Sequence, residues 1–132
     1  MLLFVYGTLR KGFCNHFLLN DAIFVSTART VEHYIMYSAD YPYVSRSSAL
    51  CSIVGEVYEV TNEESWKQLD ELEGHPNEYV RQPCIVELLA SGRKVEVELY
   101  FNEVYPQVGD NVEIVRSGDF ADAKIANVRR IS

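Results

Sequence analysis

Hydrophobic and polar positions divide the beginning of the chain into two parts. Leu2–Val5 is an unbroken apolar run, too short to cross a membrane and of the length typical of a buried strand. The run stops at Tyr6, Gly7, Thr8 and Leu9. Gly7 can adopt backbone angles that other residues avoid, and it can leave room for a ligand against the main chain. The pattern predicts a strand that ends in a tight turn, where consecutive N–H groups can form a nest for an anion.

Three later segments give the clearest strand predictions. Residues 51–60 carry bulky side chains on both faces, and the interior Gly55 indicates a bulge or a barrel corner. Residues 79–89 and 93–101 predict two strands joined by a hairpin at the sequence Ala-Ser-Gly. In the second of these strands, valine and leucine alternate with glutamate and tyrosine, so one of its faces is predicted to be wet.

Other segments give weaker structural signals. They predict a short helical turn at residues 15–19, one or two strands in residues 24–37, a turn or sheet edge at residues 41–43, a final strand at residues 111–115, and a short helix or irregular cover at residues 120–131. The turn or edge is favoured at residues 41–43 because the proline there cannot donate a hydrogen bond to a sheet.

One helix is predicted with both of its ends marked. Thr61 and Glu64 have the spacing of a capping box, and Gly74 followed by Pro76 marks the end of the helix. Many short strands with one main helix predict an α+β fold. The expected architecture is a single domain with a small mixed β-sheet, curled or barrel-like, and one main helix.

One acidic side chain of this helix lies on its apolar side. At about 100° per residue, Trp66, Leu69 and Leu72 span a sector roughly 120° wide. Glu73 falls within about 40° of the centre of that sector, whereas the other acids lie about 100° or more away. Burial and the negative end of the helix dipole both raise the pKa of such a carboxyl, which suits a general base. The alternative is a frayed last turn that lets Glu73 swing into water.

Length, composition and charge are those of a soluble globular protein. The chain has 132 residues, 48% of them hydrophobic and 23% charged, so residues 1–132 are predicted to form one domain. The formal net charge of −7 argues against nucleic acid as a partner, because phosphate binding needs a basic surface. The same charge gives no reason to expect binding to an anionic membrane.

The three cysteines indicate a reducing compartment. Cys14, Cys51 and Cys84 are odd in number and widely spaced, so we expect free thiols and a cytoplasmic location. Neither a signal peptide nor a membrane-spanning run is recognisable. The cysteines and histidines show no spacing typical of a metal site, and we expect no metal and no cofactor.

Two motifs resemble the gamma-glutamylcyclotransferase family. The first is Tyr6-Gly7-Thr8-Leu9, and the second is Leu69-Asp70-x-x-Glu73-Gly74 followed by Tyr79. The strand Val54-Gly55-Glu56-Val57-Tyr58 is also similar to that family, and the match covers about residues 2–101. Residues 6–12 and 69–76, with their neighbours, look most like the gamma-glutamylamine cyclotransferase branch. Residues 117–120 look more like the endings of microbial members, which leaves the substrate open.

The resemblance implies an enzyme that releases 5-oxoproline, described as a lyase or a cyclising acyltransferase. Its substrate would be a gamma-glutamyl amine such as gamma-glutamyl-epsilon-lysine, whose own α-amine attacks the γ-carbonyl and expels an amine. Because the nucleophile is part of the substrate, the enzyme supplies mainly a folded conformation and proton transfers. Glu73 would be the general acid and base, and the turn at residues 6–9 would bind the α-carboxylate. Tyr79 and Tyr100 either line the cavity or donate a hydrogen bond to that carboxylate, or they pack in the core.

Two other functions stay open at this point. The same fold can act on gamma-glutamyl amino acids or glutathione, or it can bind an acidic small molecule without catalysis. An inward-facing Glu73 argues against the second alternative, since a carboxylate beside a bound anion weakens its binding. A small gamma-glutamyl molecule is the partner that we expect. The sequence leaves the oligomeric state undetermined, with a monomer as the expectation.

Overall fold

The described chain contains eight strands in one mixed sheet. The computed structural model describes residues 1–39, 41–103 and 112–131. The strands are β1 (Leu2–Val5), β2 (Ile23–Thr30), β3 (Ile35–Ser38), β4 (Pro42–Ser45), β5 (Val54–Glu59), β6 (Val80–Leu88), β7 (Lys94–Phe101) and β8 (Glu113–Ile114). The helical elements are α1 (Glu63–Glu73), α2 (Ala126–Arg129) and single 3-10 turns at His16–Leu19 and Phe120–Asp122.

Five of these strands close into a barrel. They are hydrogen-bonded in the order β1-β5-β2-β6-β7, and β7 returns to β1 through parallel pairing of Glu98 with Leu3. The strands β4, β3 and β8 extend the sheet from β7, where Val44 pairs in parallel with Phe101. The predicted α+β fold, with a small mixed barrel-like sheet and one main helix, is therefore confirmed.

Strand β1 is buried on both of its faces. Phe4 belongs to an apolar cluster that fills the barrel. Its neighbours Leu3 and Val5 point to the opposite side, where they pack in a second cluster with Trp66 and Leu69 of α1. A strand buried on both faces needs apolar residues at every position rather than at alternate positions. This explains the unbroken apolar run at the start of the chain.

The wet face predicted for β7 is present at only one end of the strand. Glu96 is exposed and Glu98 is half-buried, but Tyr100 is only 3% exposed. Tyr100 packs in the second cluster with Trp66 and Leu69, because α1 covers this end of the barrel. The prediction was wrong there, since the exposure of a strand face depends on what packs against it.

Helix α1 begins one residue later than predicted. Its N-cap is Asn62, whose Oδ1 accepts a hydrogen bond of 2.8 Å from the backbone N–H of Glu64. The predicted cap at Thr61 is therefore wrong, because an amide oxygen one position later already satisfies this N–H. The end of the helix is as predicted. Gly74 stops it with a left-handed φ of 64°.

The segment predicted as a turn or sheet edge at residues 41–43 starts an internal strand. Strand β4 begins at Pro42 and lies between β7 and β3. Pro42 pairs with Ser38 of β3, whereas pairing with β7 is at Val44, so the missing N–H costs no bond with β7. Strand β8 and helix α2 confirm the predicted final strand and short helix. Asn111, where that strand was expected to start, lies outside the described residues.

Gly55 in β5 is packed too closely for any side chain. A Cβ at this position would lie 2.2 Å from the carbonyl oxygen of Val5 and 2.8 Å from the ring of Phe4. The register shift of this region lies in the neighbouring β2, between Phe24 and Ser26. The sequence suggested a bulge or a barrel corner at Gly55, but the register shift lies opposite Val57 and Tyr58, and Gly55 serves the close approach of β1.

We expect Gly55→Ala to lower the free energy of unfolding by about 3 kcal/mol, because the backbone of β1 must move to admit the methyl group. Gly92→Ala is the control: Gly92 has a φ of 74° but open space around it, so its cost should be only about 1 kcal/mol. Urea unfolding followed by circular dichroism measures both variants. Equal losses would contradict the close packing of β5 on β1.

Candidate active site

A cavity of about 470 Å³ opens at the end of β1. Its wall combines the turn after β1, the end of α1 with the segment that follows, and the residues around the start of β4. The lining residues are Phe4, Val5, Tyr6, Gly7, Thr8, Leu9, Asn15, Ala39, Tyr41, Pro42, Tyr43, Leu72, Glu73, Glu78, Tyr79, Tyr100 and Asn102. Every residue predicted for the site is in this lining. Among the predicted residues, the fold brings together Tyr6 and Tyr100, which are 94 positions apart in the sequence.

Glu73 contributes its carboxyl from the last residue of α1. The side chain is partly buried, lines the cavity, and has no hydrogen-bond or ion-pair partner among the described residues. Burial, and secondarily the negative charge of Glu78, raise the pKa of this carboxyl from 4.5 to about 7. The carboxyl is therefore on the side that helical projection predicts. The charge of Glu78 is a contribution that the sequence argument did not include.

The turn after β1 presents unpaired backbone N–H groups. Within the described residues, the N–H groups of Gly7, Thr8 and Leu9 have no acceptor. The turn is held by other atoms: the N–H of Arg10 donates to the carbonyl oxygen of Gly7 at 3.0 Å. Asn15 donates its backbone N–H to the Thr8 carbonyl oxygen and its side-chain N–H to Thr8 Oγ1, both at 2.9 Å. Three adjacent N–H groups are thereby left for an anion.

Gly7 is required by packing and not by backbone conformation. Its φ is not positive, so the unusual backbone angles proposed for it are absent. A Cβ at Gly7 would lie 2.4 Å from Cγ of Pro42, which means that the proline ring packs against the main chain of the turn. From the sequence, a ligand was expected in this space. The structure assigns it to Pro42, a residue with no motif to mark it.

The hydroxyl groups of two tyrosines donate hydrogen bonds to backbone carbonyl groups of the cavity wall. Tyr79 Oη donates to the carbonyl oxygen of Pro42 at 3.0 Å, and Tyr6 Oη donates to the carbonyl oxygen of Tyr100 at 2.8 Å. Burial raises the pKa of both phenols well above the usual value of 10. Both groups therefore keep their single proton at neutral pH and donate it to the backbone.

Tyr100 lines the cavity, but its hydroxyl group donates a hydrogen bond to a residue of α1 outside the described lining. Its Oη donates to Oδ1 of Asp70 at 2.6 Å, and Oδ2 of Asp70 lies 3.6 Å from Nη2 of Arg81. The guanidinium of Arg81 also lies 4.6 Å from the centre of the Trp66 ring. These contacts join β7, α1 and β6 one turn before Glu73. Helical projection had placed Asp70 among the acids far from the apolar side.

Several lining residues were not among those predicted for the site. They are Phe4, Val5, Asn15, Ala39, Tyr41, Pro42, Tyr43, Leu72, Glu78 and Asn102. The two β1 residues are predictable neighbours of the turn, and Glu78 follows Glu73 by five positions, just beyond the helix stop. The residues at 39–43 and Asn102 carried no signal, because only the pairing of β4 with β7 brings them to the turn.

Among the described residues there is neither a metal-binding cluster nor a helix that could span a membrane. Within residues 1–39, 41–103 and 112–131, no group of three or more His, Cys, Asp or Glu side chains is arranged to hold a metal ion. In the same ranges, no helix has the length and apolar composition needed to cross a bilayer. The predicted cytoplasmic location and the predicted absence of a cofactor stay predictions.

Known proteins match this chain along most of its length. The family model described as "Gamma-glutamyl cyclotransferase, AIG2-like" matches residues 3–122. A protein of Methanocaldococcus jannaschii named "Putative gamma-glutamylcyclotransferase" is 44% identical over 120 residues, which cover 90% of this chain and 94% of the relative. The gamma-glutamylaminecyclotransferase B of Danio rerio is 36% identical over 109 residues, which cover 76% of this chain but only 56% of the relative.

Solved structures agree with the sequence matches. The crystal structure of an AIG2-like protein from Mus musculus superposes with a TM-score of 0.77 at 26% identity, covering 99% of this chain and 94% of that one. The family model spans both predicted motifs, including the helix whose last turns carry the second motif. The resemblance stated from the two motifs is thus confirmed, and the chain belongs to the AIG2-like gamma-glutamyl cyclotransferase family.

Proposed function

We propose that this protein converts a gamma-glutamyl amine to 5-oxoproline and the free amine, with Glu73 as general acid and base. One observation carries the proposal. A carboxyl without an ion-pair partner among the described residues, with a pKa of about 7, shares a cavity with three unpaired N–H groups. Membership of a family of gamma-glutamyl cyclotransferases supports a cyclising reaction. The relatives named gamma-glutamylaminecyclotransferase, in Danio rerio and Bos taurus, favour an amine as the leaving group.

The turn at residues 6–9 would bind the α-carboxylate of the substrate. The N–H groups of Gly7, Thr8 and Leu9 can each donate to a carboxylate oxygen, and neutral backbone dipoles of this kind form anion nests. No lysine or arginine is among the described residues that line the cavity, so these N–H groups are the strongest anion ligands there. Binding the carboxylate at the turn brings the adjacent α-amine towards Glu73.

Glu73 would carry the protons of the reaction. At neutral pH the α-nitrogen is an ammonium without a free electron pair, so Glu73 first takes a proton from it. The nitrogen then attacks the γ-carbonyl carbon and forms the C–N bond of a five-membered lactam. The bond from that carbon to the leaving nitrogen breaks as the leaving nitrogen gains a proton. Two protons move from the α-nitrogen to the leaving nitrogen in total, and Glu73 ends as a carboxylate.

Tyr79 and Tyr100 would act mainly as walls of the substrate site. Both hydroxyl protons are used, by the Pro42 carbonyl oxygen and by the Asp70 carboxylate respectively. Their rings line the same cavity as Glu73 and would bound the space in which the α-amine meets the γ-carbonyl. Holding two reacting groups in one geometry contributes a large part of the rate of an intramolecular reaction.

Two alternatives to this function are distinguishable by experiment. The protein could act on gamma-glutamyl amino acids or glutathione. In these compounds the leaving nitrogen is bonded to the α-carbon of an amino acid residue. It could also bind an acidic molecule without catalysis. The raised pKa of Glu73 supports catalysis, because a carboxyl poised near pH 7 both accepts and returns a proton.

The direct test measures 5-oxoproline released from gamma-glutamyl-epsilon-lysine, gamma-glutamyl-alanine and glutathione. We expect the highest kcat/KM with gamma-glutamyl-epsilon-lysine. Glu73→Gln keeps the size of the side chain but removes the base, so kcat should fall by about a hundredfold or more. Glu71→Gln makes the same change at an exposed position on the same helix and should retain activity.

Three outcomes would contradict the proposal in different ways. Release of no 5-oxoproline from any of the three compounds would rule out the enzyme. A preference for glutathione or gamma-glutamyl-alanine would move the function to the first alternative. Near-normal turnover by Glu73→Gln would exclude Glu73 as the base while leaving the activity in place.

The pH dependence of kcat/KM should follow the proton on Glu73. Because the reaction needs the carboxylate and its pKa is about 7, kcat/KM should fall about tenfold per pH unit below pH 7. Glu78→Gln removes the neighbouring negative charge, so the midpoint of this fall should move to lower pH. Steady-state rates between pH 5 and pH 9 measure the midpoint, and an unmoved midpoint would argue that another group titrates.

The same carboxyl should destabilise the folded protein at alkaline pH. The pKa of Glu73 is about 7 in the folded state and near 4.5 when exposed, so folding favours its protonated form. The cost is absent below pH 4.5, grows between pH 4.5 and 7, and reaches at most roughly 3 kcal/mol at pH 8. Glu73→Gln should therefore be more stable than the wild type at pH 8 and no different at pH 4. Urea unfolding at both values tests this, with Glu71→Gln as the control.

A further inference from the structure

The opening of the cavity is formed by its most exposed lining residues. Tyr41 is 50% exposed, Leu72 is 42% exposed, and Glu78 is also exposed. In the proposed reaction the glutamyl part of the substrate lies between the turn and Glu73. The substituent of the leaving amine must then extend past these three residues. This opening therefore meets the part of the substrate that differs between candidate compounds.

Glu78 places a fixed negative charge at this opening. A Cβ on Gly74 would lie 3.1 Å from Cβ, Cγ and Cδ of Glu78, so the side chain lies folded against the helix stop beside Glu73. Its carboxylate has no ion-pair or hydrogen-bond partner among the described residues. The charge is close enough to Glu73 to raise the pKa of that carboxyl.

No described residue of the cavity lining offsets this charge. Neither lysine nor arginine is among the lining residues that the structure describes. The guanidinium of Arg129 lies 4.5 Å from the centre of the Tyr41 ring, but Arg129 itself does not line the cavity. Tyr41 and Leu72 add apolar surface next to the carboxylate. An apolar surface that leads to an unpaired carboxylate suits an aliphatic chain that ends in an ammonium group.

We propose that Glu78 selects the leaving amine, favouring an aliphatic amine with a second, cationic amino group and disfavouring one whose only other charged group is a carboxylate. This inference rests on the proposed function and narrows its substrate class to gamma-glutamyl derivatives of amines that carry a second amino group, such as diamines and lysine. Two unit charges about 6 Å apart at a partly exposed site change binding by roughly tenfold at low ionic strength. The effect has opposite signs for an ammonium and a carboxylate, so the two should separate clearly.

The test uses three substrates that differ only in the end of a four-carbon chain. They are the mono-gamma-glutamyl derivatives of 1,4-diaminobutane, butylamine and 4-aminobutanoate, whose free ends are positive, neutral and negative. We expect kcat/KM to decrease in that order for the wild type at low ionic strength. In Glu78→Gln the ratio between the cationic and the anionic substrate should fall by about tenfold. A ratio cancels any change in the proton affinity of Glu73, because both substrates need the same base.

Glu71→Gln is the matched control, because it removes an equal charge from the same end of α1 outside the cavity. Its ratio should equal that of the wild type. An unchanged ratio in Glu78→Gln would overturn the proposal, and so would an equal fall in Glu71→Gln, which would indicate net charge alone. Added salt should reduce the wild-type preference.

A binding experiment separates this inference from the proposed function. Calorimetry with Glu73→Gln measures the affinity for the three compounds without turnover. The cationic compound should bind most tightly, and adding Glu78→Gln should remove that preference. If the wild type releases no 5-oxoproline, the proposed function fails, yet the order of affinities still tests Glu78. An equal affinity for all three compounds would contradict the role of Glu78 whatever the activity.

Discussion

The structure depends on the burial of β1 between two apolar clusters. Phe4 fills the barrel, Leu3 and Val5 pack against α1, and the pairing of Leu3 with Glu98 closes the barrel. Gly55 allows β1 to approach β5 without a side chain between them. Since β1 is held on both faces and both edges, the turn that follows has a fixed position. That position places Gly7, Thr8 and Leu9, whose N–H groups have no acceptor among the described residues, in the wall of the same cavity as the end of α1.

Ion pairs and hydrogen bonds hold the residues that follow the turn. Arg10 donates to Asp119 at 2.7 Å, and its Nε lies 3.6 Å from the buried Glu56 of β5. Glu56 also accepts hydrogen bonds from the N–H of Lys11 and from the hydroxyl of Tyr58. The C-terminal segment therefore supports the turn through Asp119. A rigid turn matters because an anion nest binds well only when its N–H groups are already aligned.

The cavity contains a carboxyl group whose ionised form lowers the stability of the folded protein. Glu73 is desolvated beside Glu78 and has no described ion-pair partner, so its ionised form opposes folding at neutral pH. The cap at Gly74 and the hydrogen bond between Asp70 and Tyr100 hold the end of α1 in place despite this cost. A desolvated carboxyl with a raised pKa is typical of sites that transfer protons.

The sequence by itself determined the local elements and the chemistry. The apolar run of β1, the glycine stop of α1 and the helical phase of Glu73 each depend on neighbouring residues, and two short motifs identified the family. Only the tertiary structure decided what surrounds them. Pro42 packs against Gly7, and Tyr100 is buried beneath α1, because segments that are distant in the sequence pack together. Glu78 lies close to Glu73 because the chain turns back after the end of α1. Periodicity describes one element at a time, whereas burial, charge coupling and cavity shape depend on which elements meet.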